Sequence, residues 1–196
     1  FPVTLQLALM SVTIALTIGV PIGVLSAVKH NSIIDLIGRL LALFGLAMPN
    51  FLLGTLIIYV LSVYFRILPN SGNFVSFAEN PASNLSQMIF PAITLGFSFS
   101  ASVMRTTRSA MLEVLSQDYV RTARSKGLYE RVVIMRHSLR NALIPVVTIV
   151  GIEIGYLLGG TVITEEIFAL PGIGRLVFNA ISQRDYALVQ GIVLFI

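Results

Sequence analysis

One carboxylate stands inside an otherwise uncharged run: Glu153, within residues 141–164. A carboxylate in so apolar a stretch is expensive to keep from water. By default it faces a wet cavity, a partner helix or a solute path. It would either meet a cationic or amino group of a solute or pair with a neighbouring helix, and both readings stay open. Asn50 and Tyr156 join it as candidates for lining such a path. Other chemistries find little footing. His30 and His137 are far apart and no HExxH occurs, so no metal site is indicated. Cys is absent, which removes thiolate chemistry and any disulfide framework. No GxxxxGK[ST] loop is present, so the chain is not expected to bind or split ATP by that route. No catalytic residue is assigned.

A second group of residues is mechanical rather than chemical. Residues 117–145 read QDYVRTARSKGLYERVVIMRHSLRNALIP. Asp118 is a residue type that caps helix starts, and Tyr119 to Lys126 contain neither Gly nor Pro. Lys126-Gly127 is a helix stop with a cation in the last turn. A second helical pattern begins after Gly127. Between Arg105 and Arg140 there are eight Lys/Arg against Glu113, Asp118 and Glu130, a net of plus five. A solvated loop would explain that sign. It would not explain a helix, a glycine corner and a second helix with apolar residues retained throughout. Tyr119 and Ala123 lie four apart with Val120 and Leu128 nearby, and that face is expected to meet a partner.

The elements that hold these residues are apolar blocks. The 196-residue chain is 56% hydrophobic and 11% charged, against about 25% charged in soluble domains. Its mean hydropathy is +0.89. A spanning helix needs about 20 apolar residues. Blocks within residues 5–28, 40–65, 88–104 and 141–164 meet that need, and a fifth begins at Tyr186. None alternates with period two, so all are expected to be helices. Pro21 and Pro49 would kink their spans. Gly19 and Gly23 are four apart, as are Gly151, Gly155 and Gly159, and such faces are expected to pack helices closely. Glu153 lies off the second glycine face.

Alternate connectors carry ten Lys/Arg on one side (Lys29, Arg39 and the eight above) and three on the other (Arg66, Arg175, Arg184). The richer side is cytoplasmic. The basic pI therefore reflects retained loops rather than nucleic acid. Residues 71–87 form an exposed outer loop by composition. In residues 165–185, Leu176, Val177, Ala180 and Ile181 make one apolar face of a short outer amphipathic helix.

DYVRTARSKGL, RHSLRNALIPVVT, GGTVITEEIFALPGIGRL, RDY and VQG, with PVTLQLAL, GVPIGVLSA and FPAITLG, cover nearly the whole chain. Together they resemble the binding-protein-dependent ABC importer permeases, in their dipeptide, oligopeptide and nickel branch. EEIFALPGIG resembles the first of the two permease subunits. The form differs from the general permease loop: Arg121-Thr122-Ala123 precede Gly127 where EAA is usual. Tyr129 stands where Ser often starts the second helix. Ala187 comes after RDY where Pro is common, and Glu153 stands where Gln is more usual.

The resemblance implies an all-α, polytopic helical bundle of the type I permease fold. Five spans would be visible, the last truncated, in one permease domain over residues 1–196. It implies a multi-pass protein of a prokaryotic inner membrane that moves peptides, nickel or related solutes by alternating access. Its partners would be a second permease, two ATPase subunits holding ATP and Mg, and an extracytoplasmic binding protein, with lipid around it. The coupling loop would be residues 113–140. Asp118, Tyr119, Val120, Arg121, Thr122, Ala123, Arg124, Ser125, Lys126 and Gly127 would meet the ATPase. An ion-coupled carrier or channel is the alternative, but it expects several intramembrane acids. Phe1-Pro2 directly precedes an apolar block and Ile196 lies inside another. Missing residues are therefore expected at both ends, including a span before Phe1.

Overall fold

The computed structural model describes residues 1–67 and 74–195, with the backbone alone at residues 159, 160 and 195. Part of the expected outer loop thus lies outside the described residues. The described chain is helical: α1 (Pro2–Val28), α2 (Ile33–Ala47), α3 (Asn50–Val60), α4 (Pro81–Leu115), α5 (Asp118–Ser125), α6 (Glu130–Val132), α7 (Leu139–Gly160), α8 (Val162–Ile167), α9 (Ile173–Ser182) and α10 (Tyr186–Phe195). Wide π turns, Leu61–Phe65 and Val133–Ser138, extend α3 and join α6 to α7.

Among the described residues three helices are long and apolar enough to cross a membrane: Pro2–Val28, Pro81–Leu115 and Glu130–Leu158. Counting the broken pair Ile33–Ala47 with Asn50–Phe65 as one span makes four. This corrects the expected block at residues 40–65. Pro49 does not kink a continuous helix but stands before α3 in an extended conformation, φ −63° and ψ 136°. A proline lacks the N–H that would carry α2 onward, so the break falls there. The third block also runs further than its uncharged stretch, to Leu115, through Arg105 and Arg108. The fourth ends at Gly160, with α8 a separate helix. The fifth begins at Tyr186, as expected.

The chain forms two compact units. The first comprises Phe1–Ile14, Met48–Phe97 and Glu153–Ile196; the second comprises Ala15–Ala47 and Ser98–Ile152.

In the second unit, small residues let helices meet. A Cβ at Gly19 would lie 2.7 Å from the Ser100 carbonyl oxygen and 2.9 Å from Val103. At Gly23 it would lie 2.7 Å from Thr107 and 2.8 Å from the Met104 carbonyl. Backbones this close gain dispersion contacts that lipid does not offer. Val24, Ala27, Ala110, Met111 and Ala142 form one buried cluster here, and Ala42, Ala101 and Met104 a second. Gly151 behaves differently, because nothing lies within 4 Å of its added Cβ. The same holds for Gly155 in the first unit. Neither of these two glycines therefore meets another helix within its own unit. The surroundings of Gly159 lie outside the described residues.

The second unit also holds a buried ion pair. Asp35 has no exposed surface. It accepts hydrogen bonds from Arg108 Nε at 2.6 Å, Arg108 Nη2 at 2.9 Å and the Asn31 N–H at 3.1 Å. A planar guanidinium matches a carboxylate through two parallel bonds, and this geometry sustains Arg108 inside a long apolar helix.

In the first unit, Leu7, Ala8, Met88, Ala92, Phe168 and Leu170 are buried. The Gln6 amide donates to Asn84, whose own amide donates to the Val75 carbonyl at 2.9 Å. The Val75 N–H donates to Gln87 at 3.0 Å. These bonds fasten the entry to α4. Helix α9 buries Ile173, Gly174 and Ala180, while Leu176 and Ile181 are exposed. The amphipathic helix exists, but its inner face is rotated from the one expected, because Gly174 must fit against the Val162 backbone.

Candidate functional site

Helix α5 begins one residue earlier than expected. Gln117 holds the cap position with extended backbone and makes no side-chain cap bond. Asp118 therefore does not cap the helix. It sits in the first turn, where a carboxylate favours the positive end of the peptide dipoles. Its side chain approaches Arg121 at 3.7 Å, fully in solvent.

The far end of α5 is closed by a Schellman motif. The Gly127 N–H donates to the Arg124 carbonyl at 2.9 Å, and the Leu128 N–H donates to the Ala123 carbonyl at 3.4 Å. Gly127 has φ +76°, a conformation that costs other L residues about 1–2 kcal/mol. Its added Cβ would meet nothing within 4 Å. The corner thus demands glycine for its backbone torsion and not for want of space.

Three ties fix α5 to its neighbours in the chain. Val120 is fully buried and Ala123 nearly so, both packed on Val133 with Val114 and Leu115 at the margin. Arg124 donates twice to Glu130, at 3.1 and 2.7 Å, across the glycine corner. That hydrogen-bonded carboxylate raises the pKa of the Arg124 guanidinium above its ordinary value. Asn141 donates to the Tyr119 hydroxyl at 2.8 Å. Tyr129 opens α6 without a side-chain cap bond, as the missing serine implies.

These ties correct the expected partner surface. Val120 and Ala123 face the chain's own core and offer a partner nothing. The exposed residues are Asp118, Tyr119, Arg121, Thr122, Arg124, Ser125, Lys126 and Gly127. They make a short, stiff, mainly cationic ridge, able to seat in a groove and transmit a push.

The pathway candidates do not converge into a cluster. Glu153 is half-buried, and Asn50 and Tyr156 are exposed. No hydrogen bond or ion pair joins the three among the described residues. Tyr156 is 75% exposed and Ile152, one turn before it, is also exposed, so this side of α7 is uncovered. No group of three or more metal-ligating side chains occurs among the described residues.

Sequence reading missed a built polar site in the first unit. Glu165 is fully buried. Its Oε1 accepts from the Thr4 hydroxyl at 2.7 Å and the Thr161 hydroxyl at 2.8 Å. Its Oε2 accepts from the Arg175 N–H at 3.0 Å. Thr4 in turn accepts from the Ile173 N–H at 3.0 Å. Gly172, at the cap position of α9, has no side chain to satisfy these first-turn donors. The Glu165 carboxylate from α8 takes the Arg175 N–H and the Thr4 hydroxyl from α1 takes the Ile173 N–H, both from outside the helix. Gly172 and Gly174 lie directly against the carboxylate. One signal was present: a Pro-Gly-Ile-Gly start with no capping side chain, five residues after two glutamates.

Comparison with known proteins places the chain. The family model described as "binding-protein-dependent transport system inner membrane component" matches residues 19–196. The dipeptide transport system permease protein DppB of Escherichia coli (strain K12) is 42% identical over 218 residues, covering 100% of this chain and 64% of that protein. The glutathione transport system permease protein GsiC of Pectobacterium atrosepticum is also 42% identical, covering 99% of this chain and 60% of that protein. The chain thus spans less than two thirds of the length of these relatives.

Proposed function

The chain belongs to the family of binding-protein-dependent transport system inner membrane components, and from that premise we propose that it is a membrane-spanning permease subunit of an ATP-driven importer of peptide-class solutes. The labels of the two relatives, one for dipeptide and one for glutathione, support this substrate class. Membership favours this reading over an ion-coupled carrier or channel. The helical spans accord with the type I permease fold. The partners are a second permease, two ATPase subunits that hold ATP and Mg, and an extracytoplasmic solute-binding protein. No residue of this chain is given a catalytic role.

The observation that carries the reading is the α5 corner. The short helix is held by its own core, by the Arg124–Glu130 pair and by the Tyr119–Asn141 bond. Such a piece moves as one with the helix after it. Docked on an ATPase, it would convert closure of the ATPase pair into tilting of the spans. A nucleotide can drive this only because it binds the open and closed states of the ATPases unequally.

Gly127→Val tests the coupling in the assembled transporter. The helix-stop torsion disfavours a β-branched residue by more than the 1–2 kcal/mol of an ordinary side chain, so uptake should fall by about tenfold or more. ATP hydrolysis should persist. Gly127→Asn, which tolerates this torsion, should retain most uptake. Full uptake by the Val variant in an intact complex would remove the mechanism.

A further inference from the structure

The second unit carries a cavity of about 320 Å³ lined by Arg39, Arg105 and Arg108 together with Leu43, Leu46 and Met104. Its charges do not cancel. Asp35 is the one carboxylate paired with these arginines, bonded twice to Arg108 and 3.8 Å from Arg39. Arg105 makes no hydrogen bond or ion pair among the described residues. Three guanidiniums against one carboxylate leave a net of plus two. The Arg39 side chain is 48% exposed. Beside this charge the lining is apolar, and Leu40, Leu43 and Phe44 on α2 are more than half exposed.

We propose that this cavity binds an anionic phospholipid, with the phosphate held by Arg39 and Arg105 and an acyl chain laid along Leu43 and Leu46. An apolar partner helix would cover the leucines and strand two guanidiniums. A free anion would satisfy the guanidiniums and leave the leucines uncovered. An amphiphile with a negative head answers both. Both arginines belong to the connectors read as cytoplasmic, and basic pockets between helices on that side take anionic headgroups. Arg108 stays with Asp35 and holds the helices that carry the cavity.

The test uses the full-length chain in its assembled complex, stripped of lipid in detergent and titrated with phosphatidylglycerol under native mass spectrometry. Arg39→Gln with Arg105→Gln should weaken binding by about thirtyfold, about fivefold for each arginine at ~1 kcal/mol apiece. Arg39→Lys with Arg105→Lys keeps the charge and should retain most binding, and Arg184→Gln should change nothing. Phosphatidylethanolamine should bind weakly and inorganic phosphate should not displace the lipid. Undiminished phosphatidylglycerol on the double Gln variant would overturn the proposal. So would displacement by inorganic phosphate, or a photo-crosslinker at Leu43 that captures protein rather than lipid.

Discussion

Glu165→Ala should destabilise the folded chain by about 3 kcal/mol or more, because hydrogen bonds to a charged group contribute roughly 1.5–3 kcal/mol each and this carboxylate accepts three. The larger part of the loss comes from what is left behind. The Thr4 and Thr161 hydroxyls and the Arg175 N–H would be buried without an acceptor, and the start of α9 would lose its outside cap. Glu165→Gln separates charge from shape. If its single oxygen faces the two threonines, its NH₂ group meets the Arg175 N–H, donor against donor. It should therefore cost about 1–3 kcal/mol. Glu166 sits on the same turn but is 40% exposed and pairs with Arg175 at 3.3 Å. Glu166→Gln should cost under about 1 kcal/mol. Unfolding midpoints in detergent read all three. A Glu165→Ala protein as stable as the parent would show that α9 needs no outside cap.

Asp35→Ala should cost a comparable 3–5 kcal/mol, roughly the usual loss when one partner of a buried ion pair is removed. The guanidinium of Arg108, with 18% of its side chain exposed, would lose both of its carboxylate bonds. Asn31, held at φ +60°, would lose the acceptor of its N–H. The informative comparison is Asp35→Leu with Arg108→Met. Removing both charges together should recover most of the stability lost by either single change, since apolar replacements of buried ion pairs are often neutral. A double-mutant cycle isolates the pairwise term. If the two single losses simply add, Asp35 and Arg108 are not coupled and the buried pair is not what holds α2 on α4.

Local signals carried much of the fold. Lys126-Gly127 marked the end of α5 because a left-handed corner needs glycine whatever surrounds it. The start at Tyr186 was legible from the end of the charged connector. Proline chemistry marked Pro49 as a disturbance, but it read as a kink and not as the break that separates α2 from α3. Tertiary pairings were not legible. Counting charges ended the third span before Arg105, because a lone arginine looks like solvent exposure until Asp35, 73 residues away in sequence, is placed beside Arg108. Glu165 read as an outer-loop acid, because the donors that bury it come from residues 4, 161 and 175. Val120 and Ala123 read as a partner's surface, because periodicity reports an apolar face and not its occupant. The family's fold was recognisable from motif words spread along the whole chain. The roles of Asn50, Glu153 and Tyr156 were not, since a solute path depends on helices brought together in an assembly.

The absence of cysteine from the chain makes one measurement direct. A single cysteine is placed at Thr122, on the exposed ridge of α5, and another variant carries it at Ile181, on the exposed side of α9. Each is treated with a short bifunctional reagent in the assembled complex. Coupling through α5 predicts a Thr122→Cys cross-link to an ATPase subunit whose yield changes with ATP, and none from Ile181→Cys. Equal labelling of both positions, or an α5 cysteine that reacts only with solvent, would contradict it.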